Sequence, residues 1–123
     1  MKTKILSFVK HTYPRFRSGC GWGNGYVVVF KGHPSYGKSY YDVDVNVHGG
    51  LTFSHPANEI DWPEITQEMK DGWIFGFDTC HYMDTLENWS KEDVIAETEY
   101  LKNEFMSFSP FSIKRNYVSN FKF

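Results

Sequence analysis

Within seven residues, the stretch Asp78-Thr79-Cys80-His81-Tyr82-Met83-Asp84 offers two carboxylates, an imidazole and a thiol. Aspartate, histidine and cysteine all bind zinc, and a D-x-x-H-x-x-D run can supply two or three ligands to one ion. The same residues suit proton transfer, with Asp78 or Asp84 orienting His81 as a general base. No C-x-x-C pair or H-E-x-x-H run accompanies them, so the spacing alone selects no metal. The plainer alternative makes the acids and the histidine loop caps and Cys80 a small buried filler. Four such side chains at the end of an aromatic strand exceed what capping a loop requires.

A second stretch, Val47-His48-Gly49-Gly50-Leu51-Thr52-Phe53, sets a histidine beside a glycine pair. Glycine lets backbone amides approach a ligand closely, so the Gly49 and Gly50 amides beside His48 suit an anion or a developing oxyanion. The plainer alternative is a turn with a surface histidine. If the two stretches meet, His48, Asp78, His81 and Asp84 form either a catalytic set or the ligands of a divalent metal.

Periodicity predicts the elements that must position them. Val43, Val45 and Val47 alternate with Asp42, Asp44, Asn46 and His48, a period of two that predicts a strand over 40–48 with the valines facing the core. The run Tyr26-Val27-Val28-Val29-Phe30 predicts another over 26–31, and the two read as a hairpin joined by loop 32–39. Gly49-Gly50 marks a bulge or turn, after which 51–54 is extended. Trp73, Phe75 and Phe77 alternate on one face of a strand over 73–78. A short helix is expected over 63–70, with Asp61 as its cap, Pro63 in its first turn and Gly72 beyond its end. A long one is expected over 91–106, capped by Ser90 with Asp93 as capping-box partner and Trp89 and Val94 as hydrophobic staple. Its apolar stripe is Val94, Leu101, Phe105 and Phe108, with Thr98 filling one position. The alternate glycines of 19–25 read as a flexible loop, and 113–123 as a last strand. The fold class is α+β: a mainly antiparallel sheet covered by one long C-terminal helix and one short helix, in a single compact domain of residues 1–123.

Residues 32–39, GHPSYGKS, match the phosphate-loop pattern G-x-x-x-x-G-K-[ST] letter for letter. Such a loop must open a helix whose N-terminal amides hold the phosphates. Here the valine alternation follows instead, and Pro34 removes a donor. The chain is not a P-loop NTPase.

Bulk properties narrow the classes further. Aromatic residues make up 19% of the chain, enough to build a core in 123 residues and to furnish a binding surface. A net charge of −2 gives no nucleic-acid footprint, so nucleic acid is not an expected partner. The basic residues Lys2, Lys4, Lys10, Arg15 and Arg17, and Lys114, Arg115 and Lys122 near the end, read as solvated faces. Cys20 and Cys80 allow one disulfide but neither a disulfide scaffold nor a zinc ribbon. The apolar stretch Ile5 to Val9 is too short for a leader, and no run approaches a membrane span. A soluble, cytoplasmic protein without a membrane partner is expected.

Gly32-His33-Pro34 with Tyr36-Gly37, then Val47 to Phe53, then Gly76-Phe77-Asp78 with His81 and Asp84, together resemble a family of small proteins. These are encoded by phages, prophages and bacterial mobile elements, and most are labelled hypothetical. The resemblance spans about residues 25 to 105. In that family a cysteine directly follows the aspartate and a small residue precedes the histidine, whereas Thr79 and Cys80 stand here. The departure weakens a cysteine ligand or nucleophile and leaves His48, Asp78, His81 and Asp84 as candidates. The resemblance implies that the octet is the family's GHPxYG loop, with Lys38-Ser39 following by chance. It adds His33 and Tyr36 to Gly49, Gly50 and Thr52 as ligand-binding candidates.

The expected function is a phage-type accessory protein, of anti-defence type, whose polar pocket binds or hydrolyses a small anionic, nucleotide-derived ligand. The aromatic excess suits stacking on a base. In a hydrolytic version His81 is the base and the Gly49-Gly50 amides receive developing charge. One alternative is an inhibitor of a host protein presenting Tyr36, Tyr40, Tyr41, Asp42 and Asp44. Another is a metal-dependent hydrolase with a divalent cofactor on His48, Asp78, His81 and Asp84.

Overall fold

The computed structural model describes residues 4–12 and 19–107. Four strands, β1 (Ile5–His11), β2 (Gly23–Val29), β3 (Phe53–Pro56) and β4 (Trp73–Phe77), form one antiparallel sheet in the order β1-β2-β4-β3. One helix, α1 (Lys91–Met106), lies against it. The architecture is α+β, as the patterning predicts.

Central strands β2 and β4 are buried on both faces, and their period of two divides the core. Val27, Val29, Phe75 and Phe77 join Val94, Leu101 and Phe105 on the α1 side. Tyr26, Val28 and Ile74 pack on the other side with Ala57, Ile65 and Met69, which come from the connection between β3 and β4. Phe75, Phe77 and Phe105 are fully buried, and each contributes about 2–3 kcal/mol of apolar transfer free energy. Helix α1 begins as expected. The Ser90 amide donates to Asp93 Oδ2 at 3.1 Å and the Asp93 amide to Ser90 Oγ at 3.3 Å. Trp89 packs against the cluster that contains Val94.

Four expectations require correction. Residues 40–48 are not a strand: Tyr40–Asp42 is a 3₁₀ turn, and the extended chain after it joins no ladder. Strand β2 has β1 on one edge and β4 on the other, so no edge remains for a hairpin partner. The segment runs along α1 instead. Its valines face the core as expected, but its amides find helix carboxylates, Asn46 N to Glu104 Oε1 at 3.1 Å and His48 N to Glu97 Oε2 at 2.8 Å. The glycine-rich stretch is not all loop, because Gly23 and Gly25 lie within β2. A Cβ at Gly25 would run into Thr98 Oγ1 and the Phe77 ring, so its absence lets α1 approach the sheet.

The short helix is only a 3₁₀ turn at Gln67–Met69, preceded by extended Thr66 rather than capped by Asp61. The β-branched pair Ile65-Thr66 disfavours a longer helix. Strand β1 is the fourth correction, since that sequence reads only as a rejected leader. Phe108 and residues 113–123 lie outside the described residues.

Candidate metal centre

Strand pairing brings the two chemistry-bearing stretches together. Residues 47–52 lead directly into β3, whose first residue, Phe53, pairs with Gly76 near the end of β4. Thr52 N donates to Gly76 O at 2.9 Å, which sets Thr52 beside Asp78. From there the chain turns through 79–84, with Asp84 N donating to His81 O at 2.9 Å. Met83 in this turn holds φ at 75°, a conformation that costs a non-glycine residue about 1 kcal/mol or more.

Asp84 is the centre of the cluster and almost fully buried, at 3% exposure. Both its oxygens lie 3.0 Å from His48 Nε2, and Oδ2 lies 3.1 Å from His81 Nδ1 while accepting the His81 amide at 2.8 Å. Burial pushes the carboxyl up, but the hydrogen bonds from His48 and from the His81 amide and ring outweigh it, and the net direction is down. Asp84 is therefore a carboxylate, the form a metal requires.

Asp78 stands outside this triangle. Its Oδ1 is 3.5 Å from His81 Nε2 and accepts the Cys80 amide at 3.0 Å; Oδ2 accepts the Thr52 hydroxyl at 3.0 Å.

The imidazoles are fixed by packing. The His48 ring lies between Trp89, at 4.2 Å and 37°, and the edge of His81, at 5.2 Å and 88°. Gly49 has φ +70°, and a Cβ there would stand 2.5 Å from His81 Nε2 and closer still to Cε1. Gly49 thus serves as the seat of the His81 ring. The Gly50 amide closes a turn onto Val47 O at 2.8 Å, so the glycine pair does not present two open amides to a ligand.

One donor atom from each of His48, His81 and Asp84 lies within 4.8 Å of the other two. Two imidazole nitrogens and one carboxylate oxygen are a donor set for zinc, iron or manganese, and three protein ligands leave positions open. The histidine side chains are 25% and 34% exposed over a buried carboxylate, so the cluster opens to solvent on the histidine side. Were His81 to ligate through Nδ1, its Nε2–H would face Asp78 Oδ1, 3.5 Å away, the outer-sphere arrangement typical of histidine ligands. Asp78 fits this supporting role better than a ligand role.

Not every candidate lies here. His33 and Tyr36 sit at the far end of the molecule. His33 is buried, accepts the Ser35 amide on Nδ1 at 3.0 Å and donates from Nε2 to Phe105 O at 2.8 Å, at the last turn of α1. Burial lowers its pKa against a smaller opposing effect of the Phe105 carbonyl, so it is a neutral clamp. Tyr36 packs on Trp73 with ring centroids 6.3 Å apart, at the start of β4 rather than its end. Tyr40, Tyr41 and Asp42 occupy the 3₁₀ turn, where Tyr41 is 79% exposed.

Sequence reasoning missed Trp89 as a wall of the site and Glu97 as the anchor of the His48 backbone, while the one disulfide that it allowed is formed, between Cys20 and Cys80. That bond, two hydrogen bonds between Thr79 and residues 21 and 23, and Trp22 N to Trp89 O at 2.8 Å tie the loop after β4 to the start of β2. Apart from the two cysteines, which allow one pairing, no local sequence signal marks these partners, which are separated by 41 to 67 residues.

Comparison with known proteins finds no family model, curated protein or solved structure that matches the chain. Among the described residues, no helix is long and apolar enough to cross a membrane.

Proposed function

We propose that the chain is a small accessory protein of the phage and mobile-element type that holds a divalent metal on His48, His81 and Asp84. Through that ion it binds, and in an enzymatic version hydrolyses, a small anionic ligand in the host cytoplasm. The observation that carries the reading is the convergence of three donor atoms within 4.8 Å around a buried carboxylate with an open histidine face.

Local charge joins the metal to the anionic ligand. Asp78, Asp84 and Glu97 surround the cluster, and among the described residues none of them is ion-paired to a lysine or arginine. These three carboxylates repel an anion approaching this end, and a bound divalent ion would offset two of their three charges and give the anion a local positive centre. A bound ion would supply positive charge to a ligand oxygen, while Asp78, 3.5 Å from His81 Nε2, would orient that ring and Trp89 packs on His48.

The test is elemental analysis of tag-free protein purified without chelators, followed by calorimetric titration of the stripped protein with zinc and manganese. One equivalent is expected, with at least a 100-fold loss of affinity in His48→Ala and in His81→Ala. Failure of the wild-type protein to take up stoichiometric metal at micromolar concentration overturns the reading.

A second reading, a docking surface for a host protein, draws on the exposed Tyr41, stacked on the half-buried Tyr40 beside Asp42. Tyr41→Ala with Asp42→Arg should then abolish partner capture while leaving metal uptake unchanged.

A further inference from the structure

The GHPSYGKS loop has no part in the metal centre, yet it is pinned at both ends. His33 fastens it to the last turn of α1 through Phe105 O, and Trp73 Nε1 donates to Lys38 O at 2.8 Å from the start of β4. Between the pins, Tyr36 packs on Trp73 and its hydroxyl reaches Asp71 O at 3.4 Å. What this rigid loop borders is a cavity of about 570 Å³, lined by Phe30, Lys31, Tyr36, Asn58, Lys70 and Asp71 among others. That volume falls within the range of small-ligand sites, about 300–1,000 Å³.

The lining defines a chemistry opposite to that of the metal centre. Lys31 and Lys70 both line it, and among the described residues neither is in a salt bridge. A third cation, Lys4, sits over the Phe30 ring at 4.3 Å and pairs with Glu68 at 3.7 Å. Tyr36 and Phe30 give apolar, aromatic walls. Asn58 and Asp71 offer an amide and a carboxylate, suited to amino and hydroxyl groups of a ligand. Two unpaired cations beside aromatic walls and a short polar edge match a molecule with one anionic group, one flat ring and hydroxyls between them.

We infer that this cavity is a second, metal-independent ligand site for a mononucleotide, with Lys31 and Lys70 facing the phosphate and Tyr36 flanking the base. It lies at the Trp73 end of β4, about 16 Å of strand away from the Asp78 end that carries the metal centre. The inference does not rest on the metal reading.

The experiment is calorimetric titration of the full chain with AMP, in EDTA, at 50 and 300 mM salt. Adenosine and inorganic phosphate serve as the two halves of the probe. Saturable one-site binding of AMP is expected, weakened at the higher salt, with each half binding at least 10-fold more weakly. Lys31→Glu and Lys70→Glu should each lower AMP affinity at least 10-fold, with circular dichroism confirming the fold, while His48→Ala leaves it unchanged. Absence of saturable AMP binding, or equal binding by wild-type and both lysine variants, overturns the inference. Loss of AMP binding in EDTA or in His48→Ala also overturns it, by assigning the nucleotide to the metal centre instead.

Discussion

Gly49→Ala and Gly50→Ala form a matched pair that isolates the seat of the His81 ring. Both glycines hold positive φ, +70° and +80°, so an alanine at either site costs about 1–2 kcal/mol of backbone strain. Only at Gly49 does the new methyl meet anything. It would stand 2.5 Å from His81 Nε2, while nothing lies within 4 Å of a Cβ at Gly50. The ring must shift by about an ångström, which disrupts its 3.1 Å contact with Asp84, and overpacking of this kind adds about 1–3 kcal/mol.

Urea unfolding in EDTA should therefore show Gly49→Ala less stable than Gly50→Ala by roughly 1–3 kcal/mol. Zinc titration against a competing chelator should show an affinity loss of at least about 10-fold for Gly49→Ala and little change for Gly50→Ala. Equal stability losses in the two variants, or wild-type zinc affinity in Gly49→Ala, would refute the seat and the ligand role of His81 together.

Three further outcomes are expected. His33 is held below the ordinary histidine value of 6.5, so it contributes stability that is present above that value and lost as pH falls toward its folded one. Urea midpoints at pH 7.5 and 5.5 should accordingly differ less in His33→Gln than in wild type, and an unchanged difference counts against the neutral clamp. The Cys20–Cys80 bond closes a separation of 60 residues, for which chain entropy gives about 4 kcal/mol. Reduction should lower the unfolding free energy by that order yet leave zinc binding, because hydrogen bonds from Gly21, Trp22 and Thr79 still hold the loop. Loss of zinc binding on reduction would instead tie the site to an oxidising compartment and against the host cytoplasm. Asp78→Asn should weaken zinc about 10–100-fold while retaining the one-to-one stoichiometry, the behaviour of an outer-sphere carboxylate. Loss of stoichiometric binding would make Asp78 a ligand.

Local physics was legible in the residues. The cap and buried stripe of α1, the two faces of β4, the core-facing valines at 43, 45 and 47 and the rejection of a phosphate loop all follow from short-range sterics, capping and period. So does the choice of His48, Asp78, His81 and Asp84, because side-chain chemistry is written in residue type. Strand β1 escaped because basic residues flank a short apolar run, which a leader and an edge strand share.

Partnership was decided elsewhere. Alternation shows that residues 43–47 are extended with one face buried, yet whether their amides bond to a strand or to helix carboxylates depends on which sheet edges are free. That is a property of the assembled sheet. Whether Asp78 ligates or supports depends on distances of about an ångström between loops joined only through the β3–β4 register. Residue types and local periodicity thus determined the groups available for chemistry and the faces they share. Tertiary structure alone decided which of them meet, since pairing across tens of residues is set by closure of the whole core and leaves no local trace.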